Sequence, residues 1–255
     1  MIAAGHEATA ASRQGLLSNA LILLGWLISL VSLLGLDLQQ HSWWSLGLGV
    51  LLRTLLQTGL FILAHDAMHG LIWPERPQGN HAIGVLLLFL YAGLGYAHCL
   101  SLHHNHHRFA GTCRDPDFCP NHQSGLLAWY VQFMSAYLSA FQMLRLLGSW
   151  AILVVGFSAI TPTAPLNVLL FCTLPLLFSS WQLFLVGTYL PHRVQQHPSC
   201  QPQPASLNLP VWFSLLACFH FGYHREHHDN PGLSWFQLPS ARRHAQKLAN
   251  RPGCM

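Results

Sequence analysis

Apolar residues in this chain come in long blocks, not in alternation. From Gly15 to Leu36 no charged residue occurs, and Arg13 and Asp37 bracket the block. As a helix rising about 1.5 Å per residue, it reaches about 33 Å, enough to cross a bilayer core. No small-residue cleavage site follows, so the block is expected to stay in the chain as a span. A second block runs from Trp43 to Ala64 and contains Arg53. A mid-span arginine is costly and is expected to face protein or a polar cavity. The pair Trp43 and Trp44 suits a membrane interface. Only a short turn, 37–42, separates the two blocks, which predicts a helical hairpin.

Further apolar blocks cover Ala82–Leu102, Leu126–Leu147, Trp150–Ile160 and Leu166–Leu190, the last with Pro175 inside it. The string Thr161-Pro-Thr-Ala-Pro165 interrupts any helix. Val211–Phe221 is too short to cross. Hydropathy alone allows four to six spans. The pattern predicts a single all-α integral-membrane domain over 1–255.

Composition narrows the class. Apolar residues make up 52% of the 255 and charged residues 8%, against about 25% charged in ordinary soluble domains. An ordinary soluble enzyme and a disordered chain are excluded. Twelve basic against eight acidic residues give no phosphate-binding face, so nucleic acid is not the partner. Seven cysteines without a CxxC pair imply no disulfide framework. Cys99, Cys172 and Cys218 sit in apolar runs as buried thiols. The anomaly is histidine, with 18 copies.

Ten of these fall in three clusters: His65-Asp-Ala-Met-His69, His103-His104-Asn-His106-His107, and His220-Phe-Gly-Tyr-His224-Arg-Glu-His227-His228. His192 lies directly after the last long block. On a helix His65 and His69 share a face, as do His103, His106 and His107, and again His224, His227 and His228. Neutral imidazole suits first-row metals. Eight cluster histidines plus His192 make nine candidate ligands, too many for one ion and right for two. There is no H-E-x-x-H, which excludes a zinc protease of that type. His220, four residues before His224, is an alternative ninth ligand. His104 points off the stripe and is expected to hydrogen-bond. His6, His41, His81, His122, His197 and His244 are isolated and read as surface or interface residues.

If the clusters serve one centre, they lie on one side of the membrane. The Ala82–Leu102 block separates the first two clusters, so it is expected to be interfacial or re-entrant. Four spans follow, at about 15–36, 43–66, 143–163 and 166–190, in two hairpins with a histidine-box cap and interfacial helices. The loops 37–42 and 161–165 on the opposite side carry no Lys or Arg, whereas Arg76, Arg108, Arg114, Arg193, Arg225, Arg242, Arg243, Lys247 and Arg251 fall on the metal side. The positive-inside rule makes that side, with both termini, cytoplasmic.

The three clusters resemble the histidine boxes of the membrane di-iron desaturase and hydroxylase superfamily. His65-Asp-Ala-Met-His-Gly70, Asp115-Pro-Asp-Phe118, Tyr189-Leu-Pro-His-Arg193 and Cys218-Phe-His-Phe-Gly-Tyr-His-Arg-Glu-His-His228 are similar to the bacterial-type β-carotene ketolases, as is Asn230-Pro-Gly-Leu-Ser-Trp-Phe-Gln-Leu-Pro239. The resemblance runs from about 60 to 243. It implies two Fe(2+), O2 as co-substrate, and electrons from reduced ferredoxin or a similar donor. It also implies a carotenoid drawn from the bilayer. Ring carbon 4, and 4′, of β-carotene would be hydroxylated twice and dehydrated to a ketone, giving echinenone and canthaxanthin. The sequence departs from the family at 194–200, Val-Gln-Gln-His-Pro-Ser-Cys. It also has Thr188 where related desaturases carry a further ligand. The aromatics Trp235 and Phe236 precede the final Leu-Pro.

Histidine ligands commonly pass their second N–H to a carboxylate or carbonyl. Five of the eight acids stand beside the boxes, so Asp66, Asp115 and Asp117 are expected to orient ligands or hold Arg108 and Arg114, with Glu226 in support. Trp73, Tyr96, Phe109, Phe219, Tyr223, Trp235 and Phe236 are candidates to line a substrate slot. The rival readings are a fatty-acid desaturase or a carotenoid or alkane hydroxylase with the same boxes, and a metal transporter. The transporter would hold its ligands inside the spans.

Overall fold

The computed structural model describes residues 2–117, 125–193 and 204–249. His122, His197, Phe118 and the 194–200 loop lie outside them. Every regular element among the described residues is helical. They are α1 Ile2–Leu34, α2 Trp43–Met68, α3 Pro77–Ala92, α4 Tyr96–Phe109, α5 Leu126–Tyr137 and α6 Ala140–Phe157. The series continues with α7 Ala164–Arg193, α8 Val211–Cys218, α9 His224–Asp229 and α10 Leu238–Ala249. Four of these are long and apolar enough to cross a membrane: Gln14–Leu34 of α1, α2, α6 and α7.

The chain divides into two compact units, each built from two separated stretches. One comprises 1–100 and 134–181, the other 101–133 and 182–255. No single cut along the chain separates them.

The first unit holds the greater part of the apolar helices. Arg53 of α2 is 1% exposed. Its Nη1 donates to the Trp26 carbonyl (2.8 Å) and to Ser29 Oγ (3.2 Å), and its Nε donates to the Phe171 carbonyl (3.0 Å). That last carbonyl is free for a local reason. The residue four positions on is Pro175, which has no N–H to give, and the helix runs as a π segment over Leu169–Thr173. The arginine expected to face protein therefore ties α1, α2 and α7 together through backbone oxygens.

At one end of this unit, Asn167 Nδ2 donates to the carbonyls of Leu34 (2.8 Å) and Leu36 (2.7 Å), and Thr161 and Thr163 hydroxyls also donate to Leu36. The turn after α1 and the α6–α7 turn thus lie together, as an even number of crossings between them requires.

The block 82–102 is not one helix. α3 and α4 meet at a bend of 99°, where Gly93 takes φ +65°. Asn80 Nδ2 donates to the Ala67 carbonyl (2.7 Å) and Gln57 Nε2 donates to the Tyr91 carbonyl, so α3 runs antiparallel to α2. From Ala67 to Gln57 is about 15 Å. α3 therefore stops beside the middle of α2 and does not continue to the level of Trp43. The Arg145 guanidinium donates to the Gly93 carbonyl at the bend.

The block 126–147 is also two helices. A capping box, Ser139 with Gln142, starts α6 anew. The third span accordingly covers Ala140–Phe157 rather than about 143–163.

Candidate metal centre

α2 ends in the first box. His65 is buried, and His69 follows as the last helical turn closes, its N–H bonded to the His65 carbonyl (3.3 Å). Their rings stand 5.0 Å apart on one face. Asp66 is buried, with Oδ1 at 3.9 Å from His65 Nδ1.

Seven histidines of the second unit, from three elements, separate into two groups. One joins His103 and His107 of α4 with His227 of α9, ligand atoms within 4.8 Å of one another. His107 Nε2 and His227 Nε2 are 2.9 Å apart. The other joins His106 of α4, His192 at the end of α7, and His224 of α9. His228 belongs with it, its Nε2 2.9 Å from His106 Nε2 and 3.2 Å from His224 Nε2. His192 thus stands in this group, and His220 in neither. Each HxxHH box divides. Along a helix, residues i and i+4 differ by about 40°, while i+3 falls about 60° to the other side. His103 and His107 thus face one way and His106 the other, and the third box divides in the complementary sense.

The outer nitrogens fix the tautomers. Asp115 Oδ1 accepts from His106 Nδ1 at 2.8 Å, and Asp117 Oδ2 stands 3.8 Å away. The Thr188 carbonyl accepts from His192 Nδ1 at 2.6 Å. Both rings therefore turn a bare Nε2 inward. Three Nε2 atoms within 2.9–3.3 Å cannot all satisfy one another, whereas ligands at about 2.1 Å from one ion lie about 3.0–3.4 Å apart. The donor set fits a metal.

Local sequence explains this geometry. α7 changes to a π segment over Phe184–Tyr189, and within its last two residues the Thr188 carbonyl accepts from the His192 ring. Thr188 thus contributes through its backbone. A Cβ on Gly187 would come within 2.5 Å of the Phe221 ring, and one on Gly222 within 3.1 Å of Leu207. The segment after 204 bonds to both sides, Ala205 N–H to the Pro191 carbonyl (3.0 Å) and Leu207 N–H to the Gly222 carbonyl (2.8 Å).

α9 is held from behind. Buried Glu226 accepts from Arg242 Nη1 of α10 (2.8 Å) and from the Ser206 hydroxyl. Tyr223 Oη donates to the Leu209 carbonyl (2.8 Å). Glu226 therefore braces the helix that bears the third box. Ser206 and Arg242 were not among the expected site residues, and Thr188 was noted only as a departure from related desaturases.

Electrostatics follow burial. Burial alone would lower His106, yet the Asp117 and Asp115 carboxylates outweigh it and raise the imidazole above its usual value. Burial likewise opposes ionisation of Asp115, but the His106 bond and charge hold the carboxyl below its usual range. Burial, then the neighbouring imidazoles, push His224 well down, so it stands neutral as a ligand must.

Two expectations, for His220 and for Arg108 with Arg114, need correction. His220 does not share a helix with His224. The chain turns left-handed at Phe219 (φ 47°) and His220 (φ 65°), and the His220 ring stacks on Tyr223 and Trp235, outside both groups. Burial lowers this imidazole to about 4. His104 is exposed on α4 and lies in neither group, as expected of a residue off the stripe. Arg108 and Arg114 both lie over the Phe109 ring, and no carboxylate is within 4.0 Å of either among the described residues. Of the expected slot residues, Tyr223 and Trp235 stack on His220, and Phe219 and Phe236 pack against Trp235. Trp73 packs on Gly79, and Tyr96 is buried against Gly84 and His81.

The sequence pattern of the fatty acid desaturase family matches residues 41–253. The chain belongs to the fatty acid desaturase family. Within this family it is 41% identical over 192 residues to a protein of Paracoccus sp. (strain PC1) named beta-carotene ketolase, covering 74% of this chain and 76% of that one. A beta-carotene ketolase of Haematococcus lacustris is 38% identical over 200 residues, 74% of this chain and 59% of the relative. A zeaxanthin 4-ketolase of Chlamydomonas reinhardtii is 35% identical over 232 residues, 89% of this chain and 51% of the relative.

Proposed function

We propose that this membrane oxidoreductase is a carotenoid 4-ketolase, converting ring carbon 4 and 4′ of β-carotene-type substrates to ketones. The observation that carries the proposal is the pair of imidazole groups in the second unit, with bare Nε2 atoms converging and outer nitrogens tied to Asp115 and Thr188. The names of the relatives supply the substrate class.

The nine ligands proposed are His65, His69, His103, His106, His107, His192, His224, His227 and His228, for two iron ions. Iron held there would supply an oxidant for an unactivated C–H bond, which no side chain provides. Each hydroxylation consumes O2, two electrons and two protons and releases water, converting CH2 to CHOH and then to a gem-diol. Loss of water from the diol leaves the ketone. The chain's own part is to hold the imidazoles neutral and aimed, through Asp115 and the Thr188 carbonyl, and to brace α9 through Glu226. The electrons come from a ferredoxin-type donor, and the site lies on the cytoplasmic side of the membrane.

Expression in a β-carotene-producing bacterium tests the proposal. Echinenone and canthaxanthin are expected, with about two iron per chain in the purified protein. Unchanged β-carotene alongside new double bonds in the lipids would identify a desaturase instead.

A further inference from the structure

The second unit keeps its charges apart. Of its four described acids, Asp115 and Asp117 turn toward His106, Glu226 is buried against Ser206 and Arg242, and exposed Asp229 stands 3.6 Å from Arg225. Arg108 and Arg114 have no such partner and both are exposed. Their guanidinium carbons each lie 5.4 Å from the centre of the same Phe109 ring. Two like charges are thus held on one surface patch, with no acid of this unit paired to either. The turn that presents Arg114 is fixed, with Gly111 N–H donating to Asp115 Oδ2 (2.8 Å) and Arg114 N–H to Thr112 Oγ1 (3.3 Å).

This patch is wired to the imidazoles. Arg108 follows His107 in the chain. Arg114 precedes Asp115, whose Oδ1 accepts from His106 Nδ1 at 2.8 Å. One peptide and one hydrogen bond therefore separate the surface from the inner histidines.

We propose that the Arg108–Phe109–Arg114 patch is the docking surface for the electron donor, a small redox protein with an acidic face. The inference rests on the proposed oxygenase reaction, whose balance requires two external electrons for each oxygen inserted. Paired arginines match surface carboxylates, and such rim charges set association rate and salt dependence.

The test compares the full-length enzyme with the variants Arg108→Glu/Arg114→Glu and Arg108→Gln/Arg114→Gln, using reduced plant-type [2Fe–2S] ferredoxin as donor. The KM for ferredoxin is expected to rise about ten-fold or more on charge reversal, and less in the glutamine pair. Its salt dependence should flatten. Iron content and turnover driven by dithionite with methyl viologen should stay at the wild-type level. Equal loss with both reductants assigns the pair a structural role and overturns the proposal. So does an unchanged ferredoxin KM with weakened binding to anionic phosphatidylglycerol vesicles, which would make the patch lipid-facing. Arg108→Lys/Arg114→Lys should restore most of the ferredoxin KM. If the wild-type enzyme leaves carotenoid unchanged, the proposed function fails first; if it works and the variants match it, only the docking site fails.

Discussion

At the residue scale, the decisive pair is His106 and Asp115. The carboxylate accepts from Nδ1 and so fixes which nitrogen faces inward. In Asp115→Asn the amide presents an N–H either to the ring or to the Gly111 N–H, both of which are donors. Iron affinity is expected to fall about 10–100-fold, read as iron retained against a chelator. Asp117, at 3.8 Å, should matter less on the same assay. The metal-free protein adds a pH signature. Asp115 lies below its usual 3.8 when folded, so its contribution is full above 3.8 and is lost as pH falls through the lowered value. His106 lies above 6.5 when folded, so its contribution is full below 6.5 and is lost as pH rises through the raised value. The melting-temperature advantage of the wild type over Asp115→Asn should therefore peak between about pH 4 and 6.5. The histidine boxes were legible in the sequence because i, i+3, i+4 spacing places imidazoles together. The division of each box between two groups was not, because it depends on which way α4 and α9 turn their stripes.

At the element scale, helices here end or bend where one residue withdraws a backbone partner. Pro175 and Pro191 each follow a π segment by two positions; Pro175 leaves the Phe171 carbonyl to Arg53, and at the end of the second π segment the Thr188 carbonyl accepts from His192. A hydropathy reading passes over both, since Pro175 lies inside the apolar run and Pro191 directly after it. It also passes over Ser139, whose capping box divides one apolar block into α5 and α6. His220 misled for the opposite reason. Its spacing from His224 fits a helix, but the chain there is left-handed at two non-glycine residues, and nothing in Phe219-His220 announces that conformation. The α3–α4 bend is testable by size. A Cβ on Gly84 would meet the Tyr96 ring at 2.3 Å. Gly84→Val is expected to cost about 1–3 kcal/mol through overpacking, read as a lower melting temperature in detergent. Adding Tyr96→Leu should recover part of it; no recovery would place the strain elsewhere.

At the scale of the whole molecule, the proposed nine-histidine centre requires that the third apolar block does not cross. One crossing between the first and second boxes would put their histidines on opposite faces of the membrane. The helix geometry argues against that crossing, because α3 stops beside Gln57, the middle of α2, and α4 leaves at 99°. The bonds from Thr161, Thr163 and Asn167 to the end of α1 place the two uncharged turns together at the opposite end. Sidedness can be read with a membrane-impermeant maleimide on right-side-out and inverted vesicles. Cys113 is exposed and serves as the reporter beside the second box, whereas Cys99, Cys172 and Cys218 are buried; the remaining cysteines are replaced by serine. Cys113 and Glu75→Cys, one on each side of the α3–α4 block, should label only in inverted vesicles. Gln39→Cys, in the turn after α1, should label only in right-side-out vesicles. Labelling of Cys113 and Glu75→Cys from opposite sides would mean that α3 and α4 make a fifth span. His65 and His69 would then be cut off from the other seven proposed ligands, and the proposed two-iron centre could not stand.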